Sequence, residues 1–263
     1  LARRKAFFQP FALTFLRNIL KFSAVILNFL SEKASLLFRG RGTKKKRVKL
    51  KAIFFDFDGT LVHSIELLVE IFEQVLREQN LNVPPARNLR KLIGLPLPDI
   101  FRKIAPAADE EKLVKRFREI ETTRNNGSEI ALVRETMKTL EFLRAQNLRL
   151  GIVSTKRVPI FEKVARELEI WKFFDVAVGR DSISKPKPDP EPIFFACEKL
   201  GISPREILFV GDSLLDLRSA KNAGAPFVGV LTGVCDRVEF AENRAEYIFS
   251  HLGALVSLVR DLK

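Results

Sequence analysis

From Lys49 onward the apolar positions follow two alternating rhythms. Short runs rich in Ile, Val and Phe predict buried β-strands at Ala52–Phe57, Leu148–Ser154, Asp175–Val178, Ile207–Gly211 and Phe227–Val230. Between them the apolar period lengthens to about 3.6 residues. This predicts helices at Met137–Ala145, Pro159–Leu168, Pro190–Leu200 and Asp216–Ala223, with Gly201 and Gly224 where helix stops belong. Strands alternating with helices imply an α/β fold, a doubly wound, Rossmann-like parallel sheet covered on both faces. In such sheets the chemistry lies beyond the carboxyl ends of the strands.

Residues 61–130 break the rhythm. They read as helices over Ile65–Gln79, Pro98–Ile104 and Glu110–Arg124 with no buried strand among them, and Pro84-Pro85 and Asn125-Asn-Gly-Ser128 mark the joints. The plan that follows is an α/β core from 48–62 and 131–263, interrupted by a small all-helical insert at 63–130 and preceded by an extension at 1–47.

The extension carries most of the charge. The chain has a formal net charge of +13, but residues 1–47 hold 12 Lys/Arg against one acid, Glu32. The rest carries 33 bases and 31 acids, so the body is nearly balanced and does not read as a specific nucleic-acid binder. Within Phe11–Leu30, Arg17 and Lys21 oppose a membrane span. Thr14, Asn18, Lys21, Asn28 and Glu32 form one polar stripe at helical spacing, which fits a helix lying on a membrane surface. The basic run ending at Arg47 would then meet anionic lipid. The competing expectation is a start site placed too far upstream, because the chain begins with Leu and its only Met is Met137. Two cysteines, Cys197 and Cys235, cannot build a disulfide framework, and are expected as reduced thiols in a cytoplasmic protein. Two histidines, His63 and His251, leave little material for a His-based zinc site or a Ser-His-Asp triad.

Four polar clusters fall at predicted strand ends. In Phe54-Phe-Asp56-Phe-Asp58-Gly59-Thr60 two carboxylates sit one residue apart. Such a pair repels unless it shares a cation or one member is protonated. Mg2+ suits carboxylate oxygens, a carboxylate serves as a nucleophile toward phosphorus, and a second carboxyl can protonate a leaving oxygen. Gly59 permits a tight turn with its N–H groups aimed at an anion. Val153-Ser154-Thr155-Lys156 offers a hydroxyl and backbone N–H for a phosphate oxygen, although Ser/Thr also cap helices. Ser184-Lys185-Pro186-Lys187-Pro188-Asp189-Pro190 fixes a cation between prolines. Phe209-Val-Gly211-Asp212-Ser213-Leu-Leu-Asp216 places Asp212 to ligate a metal; Asp216 follows at helical spacing and also suits the helix dipole.

In this order the clusters resemble the four motifs of the haloacid dehalogenase superfamily, in its phosphatase branch, over about Lys49 to Val259. The insert resembles that branch's small helical cap. Leu92-Ile-Gly94-Leu-Pro-Leu97 is similar to a stretch in phosphoglycolate-phosphatase-like and pyrophosphatase-like members. The resemblance implies a Mg2+-dependent phosphatase of a small-molecule phosphate, with Asp56 as nucleophile and metal ligand. It implies Asp58 as general acid/base whose backbone carbonyl binds the metal, Gly59 and Thr60 in the phosphate-binding turn, and Ser154 and Thr155 on the phosphoryl group. It gives charge stabilisation to Lys185 rather than Lys187, metal ligation to Asp212 and support to Asp216. Two departures stand out: His63-Ser64 where many relatives carry Asp-Ser, and no Pro-Gly turn after Gly127. The alternatives are a sugar phosphomutase of the same superfamily, which Thr60 counts against, and a non-catalytic membrane-associated binding protein. A dehalogenase would not need Asp58 or the metal ligands.

Overall fold

The computed structural model describes residues 49–124 and 128–262. The expectations for residues 1–47 lie outside them. Among the described residues no helix is long and apolar enough to cross a membrane.

The core is a six-stranded sheet in the order β5-β4-β1-β6-β7-β8, formed by β1 (Ala52–Phe55), β4 (Arg149–Val153), β5 (Val176–Val178), β6 (Ile207–Gly211), β7 (Phe227–Val230) and β8 (Tyr247–Phe249). Every pairing is parallel, with β1 between β4 and β6 (Phe54 opposite Gly151 and Phe209). All four residues of β1 are fully buried, as expected of a strand covered on both faces. Ala52 and Phe54 join an apolar cluster with Ile193, Ala196, Phe209, Leu217, Phe227 and Phe240. Strand order reverses at β1, so the β1/β6 crevice is the topological switch point where open α/β sheets bind ligands.

The helical segment comprises α1 (Ile65–Glu78), α2 (Ala86–Arg90), α3 (Leu97–Ile104) and α4 (Glu110–Arg124). Phe72, Phe101 and Phe117 give it an apolar centre, their ring centroids lying 4.5–6.1 Å apart. The core helices are α5 (Thr136–Ala145), α6 (Val158–Glu167), α7 (Glu191–Leu200), α8 (Leu214–Ala223), α9 (Arg237–Glu242) and α10 (Ala254–Leu262). Gly201 and Gly224 end α7 and α8 at φ 63° and 72°, in the left-handed region that stops a helix.

Three expectations need correction. β1 ends at Phe55 rather than Phe57, because the chain leaves the sheet into a turn in which Thr60, Leu61 and Val62 N–H all donate to the Phe57 carbonyl. Residues 61–130 do contain a strand: β2 (Val62–His63) pairs antiparallel with β3 (Ala131–Leu132), and Val62 is fully buried. The two chain crossings between sheet and helical segment are therefore laced together, without a Pro-Gly turn. The short strand β8 went unpredicted, since three residues are too few for periodicity to register.

Candidate active site

Three strands of the sheet deliver the site. Asp56 follows β1, Ser154 follows β4, and Asp212 follows β6; Asp56, Asp58, Ser154, Thr155 and Asp212 all line one cavity of about 530 Å3. One oxygen from each of Asp56, Asp212 and Asp216 lies within 4.8 Å of the others. Asp58 is not in that carboxylate cluster: of the expected set of Asp56, Asp58 and Asp212, the side chains of Asp56 and Asp212 stand together, and Asp216 is the third.

The first motif is built to approach Asp212. Gly59 has φ +77°, and a Cβ there would stand 2.6 Å from Asp212 Oδ2 and 2.9 Å from the Gly233 Cα. Thr60 is fully buried, and its hydroxyl donates to Asp212 Oδ1 at 3.1 Å. Val234 N–H donates to Asp212 Oδ2 at 2.8 Å. Thr60 and Gly59 thus shape the carboxylate cluster and do not line the cavity, contrary to the expectation that they touch phosphate. Gly59→Ala is expected to destabilise the fold by about 1–3 kcal/mol through the left-handed backbone alone, with further loss from displacing Asp212. Chemical denaturation checks it, and an unchanged midpoint would contradict it.

The ammonium of the site belongs to Lys187, not Lys185. Lys187 Nζ donates to Asp56 Oδ1 at 2.8 Å, to Asp216 Oδ1 at 2.5 Å and to the Val153 carbonyl at 3.2 Å. It is 3% exposed and lies 5.8 Å from the centre of the Phe209 ring. Lys185 is exposed, and its backbone N–H together with Ser184 binds Glu191 on α7. That tie fixes the first half of the Lys-Pro-Lys-Pro segment on the surface and leaves the second lysine to turn inward. Burial works against the charge of Lys187, but Asp216 and Asp56 outweigh it and hold the ammonium protonated.

Asp216 is fully buried and serves two roles at once. Its Oδ2 accepts from Ser213 N–H at 3.1 Å and Ser213 hydroxyl at 2.5 Å, as in a capping box at the start of α8. Its Oδ1 takes Lys187. Burial, partly offset by Lys187, pushes Asp56 up to about 7. Burial and then the neighbouring Asp56 and Asp216 push Asp212 well above the usual carboxylate range. Three clustered carboxylates facing one ammonium leave negative charge that a hard divalent cation would neutralise, so the donor set suits Mg2+.

Asp58 is held from two sides. Ser64 is the N-cap residue of α1, yet it makes no capping bond; its hydroxyl instead donates to Asp58 Oδ1 at 2.5 Å. Lys156 Nζ donates to the same oxygen at 3.0 Å and pairs with Glu121 of α4 at 3.1 Å. Lys156, Glu121 and Ser64 were not among the sequence candidates for the site. Glu121 carried a signal: it lies four residues after Phe117 and eight after Leu113, as an acid on the buried stripe of α4. Lys156 stood beside Ser154 in the second motif. His63 is exposed in β2 and does not line the cavity. Cys197 and Cys235 are free and buried, and burial pushes each thiol up to about 12, which removes thiolate chemistry.

Comparison with known proteins agrees with this geometry. Residues 53–230 match the family model of haloacid dehalogenase-like hydrolases. The pyrophosphatase PpaX of Oceanobacillus iheyensis is 31% identical over 214 residues, covering 81% of this chain and 99% of its own. A Bacteroides fragilis structure described as a haloacid dehalogenase-like hydrolase superposes with a TM-score of 0.74 at 30% identity, over 79% of this chain and 100% of the other. A predicted phosphoglycolate phosphatase from Haemophilus somnus gives a TM-score of 0.73 at 26% identity, over 80% and 98%. With its parallel core, its carboxylate cluster at the switch point and a family match over most of its length, the chain belongs to the haloacid dehalogenase-like hydrolases.

Proposed function

We propose that this protein is a Mg2+-dependent phosphatase that hydrolyses a small-molecule phosphate monoester, phosphoglycolate or a similar organic phosphate, through an aspartyl-phosphate on Asp56. The observation that carries the reading is the placement of Lys187 Nζ 2.8 Å from Asp56 and 2.5 Å from Asp216, beside Asp212 and under a cavity that Asp58 and Ser154 also line. Phosphoryl transfer is mainly positioning and charge neutralisation, and this inventory is sufficient for it. Relatives named pyrophosphatase and phosphatase agree with the reaction class.

An Asp56 oxygen attacks phosphorus and the bond to the leaving oxygen breaks. Asp58 gives its proton to that oxygen, releasing the alcohol. Ser154, on the cavity floor, steadies the non-bridging oxygens, and the buried Lys187 ammonium balances the charge of the Asp56 carboxylate from behind. A water then attacks the acyl phosphate at phosphorus, Asp58 takes its proton, and inorganic phosphate leaves with Asp56 restored. Asp56 and Asp212 would hold the metal, with the Asp58 backbone carbonyl as the resemblance implies. Its chemistry there is neutralisation of charge on the nucleophile and the phosphoryl group. The buried reduced thiols fit a cytoplasmic location.

The purified protein with Mg2+ should release phosphate from an aryl phosphate, and EDTA should stop it. Interconversion of sugar phosphates without phosphate release would replace hydrolysis by the mutase reading. The metal should also bind in a pH-dependent way. Asp56 has its folded value raised, so between about 3.9 and about 7 the folded protein keeps a proton that the unfolded chain has lost. Metal-free protein should therefore lose stability as pH rises through that window. Mg2+ affinity should rise over the same window, because the cation displaces the proton. Calorimetric titration across neutrality checks this; affinity that falls with pH would contradict it.

A further inference from the structure

The cavity over Asp56 has two kinds of wall. One end is the polar floor formed by Asp56, Asp58, Ser154 and Asp212. Beyond it, the half-buried Leu95, Pro96, Leu97 and Pro98 of the helical segment and Ile160 of α6 present hydrocarbon. The lining also holds two exposed arginines, Arg118 from α4 and Arg157 just before α6, together with the carboxylates Asp99, Glu121 and Asp181. The other cations of the lining are engaged: Lys156 by Asp58 and Glu121, Arg102 by Asp99 and Glu110, and Arg180 by the Ile183 carbonyl. The Arg118 and Arg157 guanidinium groups have no such partner among the described residues.

A volume of about 530 Å3 is of the size that takes an organic ligand of several carbons. The phosphoryl end needs only the polar floor. What remains meets half-buried apolar side chains and two exposed guanidinium groups free to take an anion, since arginine pairs best with carboxylate or phosphate oxygens. A second inorganic phosphate brings no carbon to those walls, and a one-carbon spacer brings very little.

We propose that the natural leaving group is an organic chain or ring of several carbons that ends in a second anionic group. The hydrocarbon packs on the wall of Leu95, Pro96, Leu97 and Ile160, and the anion is read by Arg118 and Arg157. This rests on the phosphatase reading of the site and narrows its substrate class. It separates the chain from relatives named for pyrophosphate. The distal anion is a carboxylate or a phosphate, and both arms belong in the test.

The test is a kcat/KM panel with Mg2+. It holds pyrophosphate, phosphoglycolate, ω-carboxyalkyl phosphates of increasing length, the matching α,ω-bisphosphates, and n-alkyl phosphates lacking the second anion. Expected is a rise of about fourfold per methylene until the cavity is filled, the increment for burying one CH2. Carrying a distal anion should raise kcat/KM by about tenfold over the plain alkyl phosphate, the size of one charge-assisted hydrogen bond. Whichever of carboxylate and phosphate gives the larger rise identifies the anion. In Arg118→Ala and Arg157→Ala the preference for a distal anion, read within each variant as the ratio of kcat/KM for the ω-carboxyalkyl or bisphosphate substrate to that for the plain alkyl phosphate, should fall; Arg118→Lys should restore part of it. Pyrophosphate as the best substrate, or rates indifferent to chain length, would overturn the proposal and leave the phosphatase reading standing. No phosphate release from any member by folded, Mg2+-loaded protein would overturn both.

Discussion

Asp56→Asn is expected to abolish turnover, by a factor on the order of 10⁴ to 10⁶, while leaving a fully folded protein. The amide is nearly isosteric and can still accept from Lys187, so the ammonium keeps a partner on each side. It cannot form an acyl phosphate. Its effect on stability should be neutral or favourable in the absence of metal, because it removes one of three clustered carboxylates whose ionisation burial opposes. The loss of stability expected of wild-type, metal-free protein as pH approaches 7 should also shrink in the variant. A variant that keeps activity would refute Asp56 as the nucleophile. One that unfolds would refute the claim that its negative charge is dispensable to the fold.

Lys187→Met is the second large expectation, and it separates the two lysines of the Lys-Pro-Lys-Pro segment. Removing one partner of a buried ion pair costs about 3–5 kcal/mol, since the other charges stay buried without it. Here two carboxylates, on Asp56 and Asp216, lose the same ammonium. The variant should melt much lower, and added Mg2+ should recover part of the difference by neutralising the cluster. Its kcat should fall by about 10² to 10³ at least, the cost of losing one preorganised donor. Arginine should rescue poorly, because the slot between Asp56, Asp216 and the Val153 carbonyl suits a compact ammonium. Lys185→Ala, on the exposed side, should change stability by no more than about 0.5 kcal/mol and leave kcat intact. The reverse pattern would restore Lys185 to the site.

That pair of residues marks where sequence reading ended. Strand–helix alternation and three of the four polar clusters were legible because each is local: an apolar run, then an acid or hydroxyl within two residues. Asp56, Ser154 and Asp212 follow β1, β4 and β6 as the pattern predicted. Which of two lysines turns inward depends on distant contacts, Lys187 Nζ with Asp56 and Asp216, 131 and 29 residues away. No spacing rule contains them. Thr60 was misplaced for a similar reason: it was expected on phosphate, but its partner is Asp212, 152 residues away. The Asp58–Lys156–Glu121 chain joins the sheet to the helical segment, and it becomes visible only when α4 lies over the strand ends. Ser64 is a serine at a helix start that does not cap, and sequence alone assigns it the common role. The β2–β3 ladder needs both crossings of the chain to meet, so neither two-residue piece signals by itself.

Covalent transfer of phosphate to residue 56 is the claim on which the chemistry turns. Wild-type protein with Mg2+ should be mixed with excess aryl phosphate, quenched in acid within the first turnover, digested, and searched by mass spectrometry for phosphate. The expected result is an acid-stable, base-labile phosphate on the peptide carrying Asp56, absent from Asp56→Asn. Phosphate bound to a different side chain, or product release with no phosphorylated peptide at any quench time, would contradict the account.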